Sequence, residues 1–231
     1  MDVDFGKTNI TAEDLRGLAD TEEAEKILRD QKIPNSGEKL ERYFDQVAEH
    51  VRRLPREGKR FPWRATESVY KIYITEILLQ RTHGTSVAGV YRDFFTRFNE
   101  PVDLYRANEQ EIKTEIASLG FQNRRTRSLV EAGNMLAEND FSVPRKREKL
   151  IKPWRVGKYA ANATVLFGFN KPIELVDANV ASAGKNILDY PLNEPAHRDK
   201  KFRRLMKSLT PSDPRIARSF YFALIDFDFS S

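Results

Sequence analysis

Cysteine is absent from this chain of 231 residues, and histidine occurs only three times. Without thiolates the sequence can form no disulfide, no thiolate-ligated zinc or iron–sulfur site and no cysteine nucleophile. The three histidines, His50, His83 and His197, lie too far apart in sequence for the usual spacing of a metal centre. We therefore expect no metal site and no cofactor.

Long apolar runs are also missing. No segment approaches the roughly 18 apolar residues that a membrane span needs. The start of the chain, Met1-Asp2-Val3-Asp4, is acidic and lacks the basic and apolar regions of a signal peptide. These absences predict a soluble protein of the cytoplasm.

Hydrophobic residues make up 40% of the chain, enough for a buried core, and the formal net charge is +5. The charge is unevenly distributed: the first thirty residues are rich in Asp and Glu, and the stretch from Arg124 to Lys158 is rich in Arg and Lys. Such a basic stretch is usually a solvated face. It also suits a polyanionic partner, because it leads into a turn and a helix start, where backbone N–H groups can bind phosphate.

Apolar residues recur at helical spacing along most of the chain, which predicts an all-α protein. Thr11 with Asp14 predicts a capped start for one acidic helix towards Asp30, and Ser36 and Ser68 are predicted caps of the next two helices. A short β-like run occurs only at 173–176. The helices are predicted at 38–54, from Ser68 through Leu79, and at 85–98, 109–118, 123–138, 158–167, 178–189, 197–208 and 214–226.

Two short motifs are notable for the spacing between them. Val156-Gly157-Lys158-Tyr159-Ala160 precedes Val176-Asp177-Ala178-Asn179-Val180, so Asp177 follows Tyr159 by eighteen residues. Each motif alone has an ordinary explanation, the first as a helix start and the second as a helix N-cap. In this order and spacing, they resemble the hairpin and catalytic aspartate of the helix-hairpin-helix DNA glycosylases, the superfamily of endonuclease III and the MutY-type adenine glycosylases.

Further segments extend the resemblance from about Phe61 to Leu188. Phe61-Pro62-Trp63-Arg64, the run from Ile74 to Thr82, and the run Leu119-Gly120-Phe121-Gln122-Asn123-Arg124-Arg125 each resemble a family segment, in the family's order. Together with Gly-Lys-Tyr and Val-Asp-Ala-Asn, they are most similar to the mismatch-specific thymine glycosylases. The resemblance implies an all-α helix-hairpin-helix fold and double-stranded DNA with a mismatched or damaged base as the partner.

The resemblance also implies three catalytic residues. Asp177 would stabilise the positive charge that develops on deoxyribose and would orient water, and it could cap a helix at the same time. Tyr159 stands where bifunctional members place a lysine that attacks the sugar, and a phenol cannot form that imine. Glu76 would face the pocket for the extruded base; its alternative is a solvent-facing position on an amphipathic helix.

The remaining site residues implied by the resemblance contact DNA. Gln80 and Arg81 would fill the gap left by the base or contact the opposite guanine, and Gln122 would wedge in from the other side. The full predicted set of DNA-binding residues is Gln80, Arg81, Thr82, Gln122, Asn123, Arg155, Val156, Gly157 and Lys158.

Two departures from the family pattern remain. The hairpin usually reads Leu-Pro-Gly-Val-Gly, and here Arg155 replaces its first glycine. Either the turn differs, or Arg155 supplies a charge in place of a backbone contact, and the cation often bound by this hairpin is in doubt. The family's four-cysteine loop is absent after the segment 220–227. The chain is therefore either a cluster-free member or truncated before that loop.

We expect residues 61–171 to form a six-helix barrel-like domain with the hairpin, and residues 1–60 with 172–231 to form a second helical domain. DNA would cross the cleft between them. The predicted function is monofunctional excision of thymine or uracil opposite guanine by a monomeric, nucleoid-associated enzyme. Two alternatives stay open: a MutY-type adenine glycosylase and a DNA-binding module that recognises lesions without cutting.

Overall fold

The computed structural model describes residues 10–54 and 60–226. Within those ranges the chain forms α-helices and short 3₁₀ or π turns but no β-strand, which confirms the predicted all-α class. None of the helices described there combines the length and apolar composition that a bilayer crossing requires. The helices are α1 (Ala12–Gly17), α2 (Thr21–Asp30), α3 (Ser36–Arg53), α4 (Val69–Leu78), α5 (Gly84–Arg97), α6 (Pro101–Arg106), α7 (Glu109–Glu115), α8 (Gln122–Ala137), α9 (Arg147–Leu150), α10 (Lys158–Ala163), α11 (Ala178–Leu188), α12 (Lys200–Leu209) and α13 (Pro214–Asp226).

The chain divides into two compact units, Pro55–Phe169 and Met1–Leu54 with Asn170–Ser231. In the first unit α4 is the central element, and every residue from Ile72 to Leu78 is buried. It packs against α5, α8, α10 and the π-helical turn Thr164–Gly168. A helix that is apolar on nearly all sides is stable only inside a core, and here the neighbouring helices supply that core.

In the second unit α3 has the central position. Its apolar stripe includes Leu40, Tyr43, Phe44 and Val47, all of which are buried. It packs against α1, α2, α11 and α13, while α12 packs against α2. The sequence predicted this amphipathic helix, because its apolar residues recur at a spacing that places them on one face of the 18-residue helix.

Helix boundaries follow the predicted caps in some places and depart from them in others. Thr11 and Asp14 form a reciprocal capping box, and Ser68 accepts a hydrogen bond from the Lys71 N–H at 3.3 Å. The single helix predicted from Thr11 to Asp30 is wrong, because α1 ends at Gly17 and Asp20 caps a new helix, α2.

Two other expectations need correction, and the fate of one apolar run agrees with the all-α prediction. Asn35, in a left-handed conformation, is the N-cap of α3, so Ser36 is its first helical residue and not its cap. The helix predicted at 158–167 is α-helical only to Ala163 and then continues as a π turn. The β-like run at 173–176 forms no strand in the structure.

Candidate active site

Asp177 is the N-cap of α11, as the ordinary explanation of its motif predicted. Its Oδ1 accepts a hydrogen bond from the Val180 N–H at 2.8 Å, and the side chain is half-buried. Burial raises the pKa of this carboxyl above its ordinary value, although backbone N–H groups at Val180 and Asn179 act in the opposite direction. A carboxylate with few waters around it interacts more strongly with any positive charge that develops nearby.

The segment that leads to Asp177 is held by side chains from two helices. Glu174 is buried and forms an ion pair with Arg203 of α12 at 2.5 Å. The hydroxyl of Tyr221, on α13, hydrogen-bonds to the backbone of Leu175. These contacts fix the chain within three residues of Asp177, so the carboxyl enters α11 from a defined direction.

Glu76 lies in the middle of α4 and is only 6% exposed. The solvent-facing alternative for this residue is therefore wrong. Tyr159 is half-buried in the first turn of α10, directly after the Gly157 N-cap. Helices α4 and α10 pack against each other within one unit, so the elements that carry these two side chains are neighbours.

The turn after α4 carries three of the predicted DNA contacts. Arg81 is exposed and adopts a left-handed conformation with φ 55°, while Gln80 and Thr82 are half-buried on either side. Left-handed backbone is uncommon for a residue other than glycine, asparagine or aspartate, and at Arg81 it ends the helical path of the chain after α4. The basic side chain is thereby displayed at the tip of the turn.

A second turn of the same kind precedes α8. Phe121 is left-handed with φ 49° and is 55% exposed, which makes it a large apolar side chain presented to solvent. Gln122 is exposed, but its amide nitrogen donates to the Ala117 carbonyl at 2.5 Å. Asn123 is exposed in the first turn of α8.

The hairpin before α10 carries Arg155 at the position of the family's first glycine. This residue is left-handed with φ 58°, so an arginine occupies backbone space that glycine takes without strain. Its guanidinium lies 4.7 Å from the ring centroid of Trp154, and that of Arg127 lies 4.8 Å from the same centroid. Arg155 is exposed, so the hairpin presents a cation stacked on an aromatic ring.

Helix α8 holds this hairpin in place. The Trp154 N–H donates to the Glu131 carboxylate at 2.7 Å, and the Ser128 hydroxyl donates to the Trp154 carbonyl at 2.7 Å. Both backbone polar groups of Trp154 are thus satisfied by side chains of one helix. The stack beneath Arg155 therefore has a fixed position relative to α8.

The other hairpin residues differ in exposure. Gly157 and Lys158 are exposed at the start of α10, and no side chain caps that helix. Val156 is buried, and its N–H donates to the Pro153 carbonyl at 3.0 Å. Both the side chain and the N–H of Val156 are therefore used within the protein.

Two residues with distinctive positions are missing from the predicted set: Phe121, the exposed aromatic at a turn tip, and Arg125, a buried arginine between two turns. For Phe121 the available signal is an aromatic residue directly after a glycine and next to basic residues. Arg125 carries no such signal, because its burial depends on packing between turns far apart in sequence.

Across the described residues, no three His, Asp or Glu side chains come together as a metal site. The sequence itself supplies no cysteine. The unit formed by residues 55–169 holds the basic turns and the buried Glu76, and the other unit holds the half-buried Asp177 at a helix N-cap.

Comparison with known proteins assigns the family. A model of the HhH-GPD superfamily of base excision DNA repair proteins matches residues 74–212. A thymine/uracil-DNA glycosylase of Methanothermobacter thermautotrophicus is 32% identical over 173 residues, which cover 74% of this chain and 77% of that protein. A thymine-DNA glycosylase of Aeropyrum pernix is 29% identical, with 73% of this chain and 76% of that protein covered.

Solved structures agree on the fold. That of a thermostable thymine-DNA glycosylase superimposes with a TM-score of 0.69 at 29% identity, covering 79% of this chain and 82% of that one. A trapped endonuclease III–DNA covalent intermediate gives a TM-score of 0.60 at 22% identity, with 76% and 82% of the two chains covered. The chain therefore belongs to the HhH-GPD superfamily of base excision DNA repair proteins, and its enzyme class is that of the DNA N-glycosylases.

Proposed function

We propose that this protein is a monofunctional glycosylase that removes thymine or uracil opposite guanine from duplex DNA. The base is inferred from the relatives, two of which are named thymine/uracil-DNA glycosylase and one thymine-DNA glycosylase. Adenine DNA glycosylases also match, at 27–28% identity, but over a smaller share of this chain. The order of similarity favours thymine and uracil over adenine.

The observation that carries the proposal is the environment of Asp177. Breaking an N-glycosidic bond leaves positive charge on the deoxyribose ring and negative charge on the departing base. A half-buried carboxylate stabilises such a cation more strongly than a hydrated one does. Its raised pKa also makes it a stronger base towards the attacking water. Because Asp177 caps α11, its orientation is set before DNA binds.

Glu76 and Tyr159 complete the proposed machinery. Glu76 is buried in α4, and we assign it, as the family resemblance implies, to contact or protonate the extruded base. Tyr159 occupies the position of the lyase lysine, and its phenol forms no imine with the sugar. The product is therefore an abasic site in an intact strand.

Phosphate binding is assigned to the basic turns. Arg155 and Lys158 are exposed on either side of the Gly157 N-cap, and Arg155 is stacked on Trp154. Arginine binds phosphate through a planar fork, and stacking restricts that fork to one orientation.

We further propose that the enzyme acts as a monomer on the nucleoid in the cytoplasm. Light scattering of the protein alone and with duplex tests the oligomeric state.

A panel of single-lesion duplexes tests the function. Each duplex holds one of T·G, U·G, A opposite 8-oxoguanine, or A·T, and the products are separated with and without alkali. We expect cleavage of T·G and U·G duplexes only after alkali. Direct nicking with a borohydride-trapped adduct would overturn the monofunctional assignment, and release of adenine alone would assign the adenine class.

Two variants serve as controls in the same panel. Asp177→Asn keeps a capping oxygen, so it should fold normally and bind duplex within a few-fold of wild type, while losing about a hundred- to ten-thousandfold in rate. Lys158→Gln removes the lysine next to Tyr159 and should weaken DNA binding without changing the need for alkali. A wild-type rate in the Asp177 variant would contradict its catalytic role, and binding without release in every duplex would favour a non-catalytic module.

A further inference from the structure

The guanidinium of Arg125, on α8, connects two turns that are about forty residues apart in the chain. Its Nη1 donates to the Leu119 carbonyl at 3.2 Å and to the Gly120 carbonyl. Its Nη2 donates to the Gln80 carbonyl at 3.0 Å and to the Thr82 hydroxyl at 2.5 Å. The side chain is 5% exposed, so the bridge lies beneath the surface of both turns.

The acceptors of this bridge are neutral oxygens, three carbonyls and one hydroxyl. Burial among such groups lowers the pKa of Arg125, because removal from water disfavours its charge. An apolar side chain would fill the same volume without that cost. What an apolar side chain lacks is the planar fork of donors, which reaches acceptors on two sides at once. The contacts therefore indicate that Arg125 sets the geometry of the two turns.

The bridge reaches the two peptide groups where the backbone is strained. The Gln80 carbonyl belongs to the peptide group that precedes Arg81, and the Gly120 carbonyl to the one that precedes Phe121. Both of those residues are left-handed, with φ 55° and 49°. Such conformations persist only where the surrounding structure stabilises them. Arg125 donates a hydrogen bond to the peptide group directly before each of these two residues.

We propose that Arg125 is a positioning residue that joins the turns 80–82 and 119–121 into one rigid DNA-facing unit. This inference rests on the proposed function for the identity of its ligand. Extruding a nucleotide requires side chains that enter the stack at a fixed separation, so the exposed Arg81 and Phe121 must move together. A loose connection would leave binding to phosphate intact and would slow extrusion.

Hydrogen–deuterium exchange of the free protein tests the bridge without DNA. Arg125→Lys keeps the charge but loses the fork, and Arg125→Met keeps similar volume without charge. In both variants we expect exchange to rise by about tenfold in peptides covering 80–83 and 119–122 together, with little change in α3 and α11. Arg106→Met, which removes an exposed arginine at the end of α6, is the matched control and should leave both turns unchanged.

Excision and base extrusion then test the functional consequence. With T·G or U·G duplex at saturating enzyme, we expect single-turnover rates about ten- to a hundredfold lower in both variants, with duplex affinity within a few-fold of wild type. A 2-aminopurine beside the target base should lose its extrusion fluorescence in parallel. A purely structural role would lower the melting temperature and raise exchange throughout the unit.

The possible failures are distinguishable. If wild-type protein releases no base, the proposed function fails, while the exchange experiment still decides whether Arg125 couples the turns. If only one turn loosens in the Arg125 variants, or if exchange rises everywhere equally, the bridge is overturned. Loosening of both turns with unchanged rate and fluorescence would overturn the positioning role. Should Arg125→Met fail to fold, Arg125→Lys carries the same comparison.

Discussion

At Asp177, burial and hydrogen bonding act on the same carboxyl in opposite directions. Burial disfavours its charge, the backbone N–H groups at the start of α11 favour it, and the balance raises the pKa above the ordinary value of 3.8. A folded state with the higher pKa binds this proton more tightly than the unfolded chain does. The stabilisation from Asp177 is therefore complete below about pH 3.8 and is lost as the pH rises through the pKa of the folded protein.

Asp177→Asn should consequently be more stable than wild type at neutral pH. Asparagine keeps the capping oxygen and never carries the charge that burial disfavours. The difference in free energy of unfolding between variant and wild type, measured by urea titration, should be near zero at acidic pH and should increase with pH.

Asp20→Asn is the matched control, because Asp20 is an exposed N-cap of α2 that accepts from the Glu23 N–H at 3.1 Å. There the charge is favoured by the helix dipole, so the variant should be slightly less stable at neutral pH. An Asp177 variant less stable than wild type at pH 7 would show that the hydrogen bonds outweigh burial.

At the scale of elements, the hairpin before α10 has an arginine at a left-handed backbone position. Arg155 adopts φ 58° and still reaches the Trp154 ring. For an L residue with a Cβ, this conformation costs about 1–2 kcal/mol. In return for this conformational free energy, the hairpin carries an exposed guanidinium at a position where glycine would have no side chain.

Comparing Arg155→Gly with Arg155→Ala separates the backbone contribution from that of the side chain. Both variants lose the contact with Trp154, but only glycine removes the strain. We expect the glycine variant to exceed the alanine variant by about 1 kcal/mol in free energy of unfolding. Both should lose the same duplex affinity in a fluorescence-anisotropy titration. Equal stabilities would indicate that the turn changes its conformation in one of the variants.

Local signals made the caps at Thr11, Ser68 and Asp177 predictable, because each depends on a side chain and an N–H three residues away. Ser36 was misassigned because a left-handed Asn35 already turns the chain into α3. The break at 18–20 carried the same kind of local signal, because Asp20 accepts a hydrogen bond from the Glu23 N–H, but the acidic run was interpreted as one continuous helix.

Packing decided the features that the sequence could not reveal. At the π turn, a Cβ on Gly168 would lie 2.9 Å from Val69 Cγ1, so this close approach to α4 needs a glycine. The four bonds of Arg125 join turns about forty residues apart, and the residue looks from its sequence like one more member of a basic stretch. The motif spacing predicted these turns as DNA contacts, and only the coordinates show that Arg125 connects them.

Across the whole molecule, the positive charge is concentrated in one stretch. Residues 124–158 hold ten basic and four acidic residues, a net charge of +6 that exceeds the +5 of the entire chain. The rest of the chain is therefore slightly acidic in sum. A polyanion should be drawn to this stretch more than to the protein as a whole.

Duplex affinity should therefore fall steeply with salt, and the slope should depend on this stretch. Each phosphate contact releases condensed counterions, so Arg155→Ala and Lys158→Gln should each lower the slope of log affinity against log salt by about 1. Arg29→Gln, at an exposed position of the acid-rich α2, should leave the slope unchanged. The measurement is a set of anisotropy titrations on one undamaged duplex at several salt concentrations. An unchanged slope in the Arg155 variant would mean that the guanidinium stacked on Trp154 makes no phosphate contact, and the hairpin would then have to bind phosphate through Lys158 and the backbone at the start of α10.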